Sequence, residues 1–133
     1  MAKKLGLADC FKRYGASGRN PRWSWSARSP DGKTVVLTLW KDGISVSNRV
    51  TTYDSFDPTG RAPWIDTPGN RERLENLLWA RDNCDGLFRV VITVAKDVNA
   101  VRRSIAECYP QPNLLMRLTD LNEQTGEFRA VSV

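Results

Sequence analysis

The side chains in this sequence that are best suited to chemistry are cations, hydroxyls and one aromatic ring between Arg19 and Trp40. Arginine and lysine neutralise phosphate groups, serine hydroxyls donate hydrogen bonds to phosphate oxygens, and an indole ring stacks on a nucleobase. This combination is typical of proteins that contact single strands or a base turned out of a duplex. We therefore predict a nucleic-acid-binding site, for DNA or RNA, formed by Arg19, Arg22, Ser24, Arg28, Lys33 and Trp40.

Two other interpretations of these residues stay open. Arg22 and Trp40 could form a structural cation–π pair across two strands, with no ligand involved. The basic surface could also dock an acidic protein partner, which would make the chain a protein–protein interaction or regulatory module. In the nucleic-acid interpretation, we expect Arg22, Arg28 and Trp40 to be the principal contacts, with the other three residues assisting.

A β-hairpin must position these residues. Residues 20–40 contain two alternating runs around Ser29-Pro30-Asp31-Gly32, which favours a type I turn closed by a glycine in the left-handed conformation. A three-residue loop predicts the pairs Ser29 with Lys33, Ala27 with Val35, Trp25 with Leu37, Trp23 with Leu39 and Arg22 with Trp40. One face would then be an apolar core face with Trp23, Trp25, Ala27, Val35, Leu37 and Leu39. The other face would carry Arg22, Ser24, Ser26, Arg28, Thr34, Val36, Thr38 and Trp40.

The positive charge of the chain is concentrated near its beginning. The net charge is +5, and residues 1–33 carry eight basic against two acidic side chains, whereas the remaining 100 residues carry 12 basic and 13 acidic. Clustered positive charge is the electrostatic signature of a surface that meets phosphates, although it also suits acidic proteins and anionic lipids. The charge distribution therefore agrees with the predicted hairpin site.

The composition argues against an enzyme. The chain has no histidine, which excludes Ser-His-Asp and Cys-His catalysis and most zinc or non-haem iron sites. The three cysteines, Cys10, Cys84 and Cys108, are widely spaced and never form a C-x-x-C motif, so reduced thiols are expected. No GxGxxG or Walker A loop is present. We expect no catalytic residue, no metal and no cofactor.

Two enzyme interpretations were considered on particular residues. Asp54, Asp57 and Asp66 form an acidic cluster that could hold magnesium, but loop aspartates commonly hydrogen-bond within their own turns. A PD-(D/E)xK nuclease pattern fails because the most strongly β segment ends in Val94-Ala95-Lys96, with no carboxylate two residues before the lysine. A nuclease is therefore not predicted.

The length and average composition predict one globular domain, residues 1–133, cytoplasmic and without a membrane span or signal peptide. Periodicity predicts a short helix at residues 5–14, a weak strand at residues 44–50 and a helix from Thr67 to about Asn83. It further predicts a strand at residues 87–95, a helical turn or two at residues 100–108 and a terminal hairpin. This order predicts an α+β fold with a mixed or largely antiparallel sheet, able to curl into an open barrel, and two to three helices. A parallel doubly wound fold is the second alternative.

The motif Asn20-Pro-Arg-Trp-Ser-Trp-Ser-Ala27, followed by Val35-Val-Leu-Thr-Leu-Trp-Lys-Asp42, resembles a stretch in small uncharacterised bacterial proteins. More loosely, it is similar to modules joined to HNH-type restriction endonucleases. The match covers a quarter of the chain, and the Trp-Ser-Trp pair and the later Trp-x-Asp are its most specific parts. The resemblance implies a DNA-facing accessory or reader module, which can have a barrel like those that bind modified bases. The catalytic part of such enzymes needs histidines, so neither nuclease activity nor any ligand residue carries over.

Overall fold

The computed structural model describes residues 6–20, 24–57, 62, 64–100 and 103–133. In chain order the elements are α1 (Leu7–Lys12), β1 (Ser26–Arg28), β2 (Val35–Trp40), β3 (Ile44–Ser47), β4 (Val50–Asp54), α2 (Pro68–Asn83), β5 (Leu87–Ala95), β6 (Ile105–Leu121) and β7 (Phe128–Ser132). Within these ranges no helix combines the length and the apolar character needed to cross a membrane.

Local chemistry sets the bounds of α2 and β5. The Thr67 hydroxyl oxygen accepts a hydrogen bond from the backbone amide of Asn70 at 3.3 Å, and Pro68 follows in the first turn, where its missing N–H is not needed. After α2, Asp85 and Gly86 adopt φ angles of 56° and 75°, which turns the chain directly into β5. The predicted bounds of this helix and strand are confirmed.

The strands form one open, mixed sheet with the order β1-β2-β5-β6-β7-β4-β3. Among the described strands, β2 and β5 pair in parallel, and every other neighbouring pair is antiparallel. The long β6 pairs with β5 along its first part and with β7 along its second part. The predicted α+β class with a mixed sheet is confirmed, and the sheet does not close because β1 and β3 remain its two edges.

One helix packs on each face of the sheet. On the inner face, α2 covers the larger core, in which residues of β2, β4, β5, β6 and β7 meet, and its fully buried members include Leu37, Leu77, Phe88, Met116 and Phe128. On the outer face, α1 covers a smaller core formed by Cys10, Phe11, Ala16, Ala27, Val36, Val91 and Cys108. Because both faces of β2 and β5 are covered, these strands are apolar nearly throughout.

The predicted register of the first hairpin was wrong by one residue. The observed pairs are Ser26 with Leu37, Ala27 with Val36 and Arg28 with Val35. The turn chemistry causes the difference. The Ser29 hydroxyl accepts a hydrogen bond from the Thr34 amide at 3.0 Å, and the Asp31 carboxylate accepts from the Ser29 hydroxyl and the Lys33 amide, so the loop has four residues, 30–33.

A shift of one residue exchanges the faces of a strand. Ala27 and Val36 therefore lie together in the outer core, whereas Ser26 and Arg28 share the inner face with Val35 and Leu37. In the described part of the hairpin, the predicted apolar face and the predicted polar face are therefore not found; Arg22 and Trp23, which were assigned to them, fall outside the described residues.

A second correction concerns the segment before the terminal hairpin. Residues 100–108 were predicted to contain a helical turn, but from Ile105 onward the chain is strand β6. Pro112 is tolerated because it lies in an irregularity of the pairing of β6 with β5, outside the regular ladder, and Pro110 is the last regular pair before that irregularity, opposite Val91. The single weak strand predicted at residues 44–50 is in fact the beginning of a hairpin, β3 and β4, which turns at Asn48 and Arg49 with φ angles of 50° and 65°.

Candidate nucleic-acid interface

Arg28, one of the predicted hairpin residues, contacts α2 instead of pointing into solvent. Arg28 points to α2: its Nε donates to the Asn76 side-chain oxygen at 3.1 Å, and its guanidinium lies 4.3 Å from the centre of the Trp79 ring. Asn76 in turn donates to the hydroxyl of Ser26 at 2.7 Å. These contacts follow from the observed register, which turns Ser26 and Arg28 toward the helix. Arg28 thus docks the hairpin on α2.

Arg19 and Ser24 have similar internal roles. The Arg19 guanidinium forms an ion pair with Glu75, and its backbone amide donates to the Glu72 carboxylate at 2.7 Å. Ser24 is 2% exposed, and its hydroxyl oxygen accepts a hydrogen bond from the Asn20 amide at 3.0 Å. The positive charge of Arg19 is therefore compensated by the Glu75 carboxylate of α2.

Trp40 lies at the other end of the hairpin, half-buried. The guanidinium of Arg103 lies 5.1 Å from its ring centre and forms two hydrogen bonds, of 2.7 and 2.8 Å, with the Asp42 carboxylate. These bonds lower the pKa of Asp42, against the opposing effect of its partial burial. The tryptophan is therefore engaged with a cation from the β5–β6 connection.

Of the remaining two predicted residues, the structure describes Lys33 and does not describe Arg22. Lys33 is exposed on the hairpin turn, which the Trp79 indole N–H fixes by donating to the Gly32 carbonyl at 2.7 Å. Arg22 falls outside the described residues. Of the five predicted residues that the structure describes, Arg19 and Arg28 contact α2, Ser24 is buried beside Asn20, and Lys33 and Trp40 lie at opposite ends of the hairpin. They do not form one outward face.

Four cations that sequence reasoning did not single out lie on the outer side of the sheet. Lys12 and Arg13 end α1, which packs against β5 and β6, and Arg89 and Arg117 come from those strands. Arg89 pairs with Leu115, two positions before Arg117, so the two arginines are diagonal neighbours at the usual spacing of about 7–8 Å. We call these four residues the basic face.

The charges of the basic face are not compensated by carboxylates. Lys12, Arg13 and Arg117 are exposed and Arg89 is half-buried, and within the described ranges no ion pair involves any of the four. The side-chain alternation along β5 and β6 could have indicated from sequence that two of these arginines share one face. Phe88 and Met116 belong to the inner core, and period-2 alternation turns the residue after each of them, an arginine in both cases, to the outer side.

A bulge in β6 lies beside the basic face. The β5–β6 pairing passes from Arg89 with Leu115 to Val91 with Pro110, so that residues 111–114 lie opposite Val90 alone. Tyr14 fills the gap in the ladder, because its hydroxyl donates to the Val90 carbonyl at 2.8 Å and accepts from the Gln111 amide at 3.0 Å. Burial raises the pKa of Tyr14, while the Gln111 amide and the nearby Arg89 and Arg13 act in the opposite direction.

On the inner side of the bulge there is an open cleft of about 440 Å³. Its apolar lining comes from Ile44, Val46, Ile92, Tyr109 and Leu114, and its polar lining from Lys41, Thr51, Gln111 and Asn113. The bulge therefore separates two surfaces, the basic face outside and the cleft inside.

Of the acidic residues considered for magnesium, Asp54 has partners within the protein. Asp54 forms an ion pair with Arg129 at 3.0 Å and accepts a hydrogen bond from the Phe56 amide at 2.8 Å. In the part of the chain that the structure describes, no three histidine, cysteine, aspartate or glutamate side chains come together so as to hold a metal ion.

No protein-family model, no curated protein and no solved structure matches this chain. Its own surface chemistry is therefore what points to a function.

Proposed function

We propose that this chain is a non-enzymatic nucleic-acid-binding domain, and that the basic face supplies its main phosphate contacts. The observation that carries the proposal is the grouping of Lys12, Arg13, Arg89 and Arg117 on one side of the sheet with no carboxylate paired to any of them within the described residues. A cation whose charge no carboxylate neutralises attracts the phosphates of a polyanion, and binding releases the counterions of those phosphates. Arg89 does donate to the Pro112 carbonyl, but a neutral carbonyl leaves its positive charge uncompensated.

The hairpin residues take a secondary place in this proposal. Arg19 and Arg28 already have protein partners, so using either for phosphate binding would break an existing contact. Lys33 is exposed and remains a candidate contact, and so does Arg22. A base stacking on the covered side of Trp40 would have to displace Arg103.

The second candidate function is a protein–protein interaction module that docks an acidic partner on the same basic face. A separate observation also favours a protein contact, at a different place from the basic face: the exposed edge of the sheet at β3. Val46 and Val50, on the two strands of that hairpin, are 69% and 41% exposed, and none of the described strands pairs with the outer edge of β3. An edge of this kind can accept a strand from another chain.

Binding of labelled single-stranded and duplex oligonucleotides, measured by fluorescence anisotropy between about 50 and 200 mM salt, tests the proposal. We expect affinity to fall steeply with salt. The double variant R89Q/R117Q should lower the slope of log affinity against log salt by about 2, roughly one per lost phosphate contact.

The matched control is R71Q/K96Q, which removes two exposed cations from elsewhere on the surface and changes the net charge equally. We expect this control to keep a slope closer to that of the wild type. Equal losses in both double variants would contradict the assignment to the basic face. Absence of oligonucleotide binding at low salt, together with binding of an acidic polypeptide such as polyglutamate, would favour the second candidate.

A further inference from the structure

The cleft described above is built from distant parts of the chain. Ile44, Val46 and Thr51 form one wall from the β3–β4 hairpin, and Ile92, Tyr109 and Leu114 belong to β5 and β6. These strands are not neighbours in the sheet, so the cleft exists because the sheet curls. Its volume of about 440 Å³ lies within the usual range for small-ligand sites.

The lining has the chemistry that recognises a nucleobase. Tyr109 offers an aromatic ring beside aliphatic side chains, a surface on which the flat face of a base can stack. Gln111 and Asn113 are exposed amides, each with donors and an acceptor, as the edges of bases require. Lys41 adds a cation, and no carboxylate is among the described lining residues, so an anionic ligand is favoured over a cationic one.

The bulge at residues 111–114 connects the cleft to the basic face. Gln111 and Asn113 line the cleft, while the Gln111 amide is bonded to the Tyr14 hydroxyl, and Arg89 donates to the Pro112 carbonyl at 3.4 Å. Tyr14 and Arg89 therefore hold the bulge from the outer side. A strand whose phosphates lie on Arg89 is separated from the cleft by only this short segment of β6.

We infer that the cleft binds one base of a single-stranded nucleic acid whose phosphates the basic face holds. This inference rests on the proposed function, which it deepens by naming the preferred nucleic acid. A base paired within a duplex is stacked and cannot enter a cleft of this size, so single strands bind more tightly than duplexes of equal length.

The first experiment compares a short single-stranded oligonucleotide with the same strand made abasic. The abasic strand keeps its phosphates, so the two differ only in the bases. We expect the wild type to bind the intact strand about ten-fold more tightly, the scale of one stacked base. The variant Q111A/N113A, which removes the amides that bond the edge of the base, should reduce this difference while it keeps the salt dependence of the wild type.

The matched control, Q124A/N99A, removes the same two types of exposed amide away from the cleft and should keep the preference for the intact strand. Equal affinity of the wild type for intact and abasic strands would overturn the cleft inference, while steep salt dependence would leave the proposed function standing. A preference for intact strands that is undiminished in Q111A/N113A would also overturn it.

A second experiment does not depend on the basic face. Nucleoside 5′-monophosphates and ribose 5-phosphate are titrated separately into the labelled protein and followed by NMR. We expect the resonances of Tyr109, Gln111 and Asn113 to shift with the nucleotides and not with the sugar phosphate. Absence of these shifts overturns the cleft inference. Shifts without any oligonucleotide binding would support the cleft and contradict the proposed function.

Discussion

Arg73 is the most unusual single residue of the protein. Its side chain is buried, 5% exposed, and no carboxylate within the described ranges pairs with it. The guanidinium lies 4.8 Å from the ring centre of Trp64 and 5.3 Å from those of Trp25 and Phe128, and it donates to the Asn70 side-chain oxygen at 3.0 Å. Burial lowers its pKa to about 10. Three aromatic faces thus take the place of a counterion.

Two substitutions at Arg73 should distinguish the contribution of its packing to stability from the contribution of its charge and polar contacts. We expect Arg73→Ala to lower the free energy of unfolding by about 2–4 kcal/mol, because it leaves a cavity among the three rings. Arg73→Met should cost less, since it fills a similar space and leaves no buried carboxylate unpaired. Urea denaturation of each variant measures both effects. The neighbouring, exposed Arg71→Ala is the control and should change stability by no more than about 0.5 kcal/mol. An equal loss for the methionine and alanine variants would show that the polar contacts of Arg73 dominate.

Asp42 gives a prediction about pH. Its hydrogen bonds with Arg103 lower its pKa below the ordinary 3.8, so the folded state binds this proton less readily than the unfolded state. The contribution to stability is present above pH 3.8 and is lost as the pH falls through the lower folded value. Because the carboxylate is partly exposed, we expect Asp42→Asn to cost only about 0.5 kcal/mol at neutral pH. Urea unfolding at pH 7 and near pH 2 should show a smaller acid-induced loss in the variant, and an unchanged loss would contradict this assignment.

At the scale of elements, α2 is joined to the sheet largely by polar contacts. Asn70, Glu72, Arg73 and Asn76 are buried on this helix. Leu77 is fully buried, but Leu74 and Leu78 are only half-buried. Asn70 connects two loops, because its side-chain amide donates to the carbonyls of Ile65 and Thr125 at 2.9 and 2.8 Å. The position of α2 therefore depends on specific hydrogen bonds as much as on apolar area.

Tyr14 links α1 to the β5–β6 pair, and its hydroxyl can be removed alone. In Tyr14→Phe the Val90 carbonyl and the Gln111 amide both lose their partner. We expect a loss of about 1–2 kcal/mol in the free energy of unfolding, chiefly because the carbonyl of the buried Val90 is left without a partner, whereas the exposed Gln111 amide can bond to water. Tyr109→Phe is the matched control, since no hydrogen bond to its hydroxyl is found among the described residues, and it should be nearly neutral. Equal stability of both variants would show that water replaces the tyrosine hydroxyl in the bulge.

Two thiols also meet where α1 packs on β6. The sulfur atoms of Cys10 and Cys108 are 3.7 Å apart and both residues are buried, whereas Cys84 is half-buried at the end of α2. Burial, together with the neighbouring Cys108, raises the pKa of Cys10 to about 12, so its reactive thiolate is scarce at neutral pH. With a thiol reagent and mass spectrometry, we expect Cys84 to be modified first in the native protein, and the other two only on unfolding. Early modification of Cys10 would contradict the packing of α1, and a Cys84→Ser variant should lack the fast phase.

At the scale of the whole molecule, strands that are distant in sequence hold the sheet together. The last strand, β7, lies between β6 and β4, and it carries Phe128 and Ala130 into the inner core. The β3–β4 hairpin is joined to the rest of the sheet through β7. Because one wall of the cleft belongs to that hairpin, the cleft depends on the last strand as well.

Because β7 is an interior strand, removal of residues 128–133 should abolish cooperative folding and not merely shorten the sheet. We expect the truncated chain to lose its sigmoidal urea transition and its dispersed NMR spectrum, because two buried side chains and both ladders of β7 are lost together. Removing Val133 alone is the control. Its side chain is 69% exposed and its amide donates one hydrogen bond, to the Leu115 carbonyl, so a loss of about 1 kcal/mol or less is expected. A cooperative transition in the longer truncation would contradict the central role of β7.

The sequence by itself determined the elements whose signals are local. Thr67 and Pro68 define the start of α2, and the β-rich run at residues 87–95 defines β5, because capping, fixed φ angles and side-chain periodicity act over a few residues. The mixed α+β class follows from the order of such elements. The hairpin at residues 26–40 was also found, because turn residues and alternation are local signals.

Only the tertiary structure decided which way the functional side chains point. The register of the first hairpin depends on whether the Ser29 hydroxyl meets the Thr34 amide, and that one-residue choice turned Arg28 onto α2. Arg89 and Arg117 became neighbours through strand pairing across 28 positions of sequence. Pairing partners and buried polar contacts depend on groups far apart in the chain, whose proximity is fixed only when the core packs, so periodicity within one segment does not specify them.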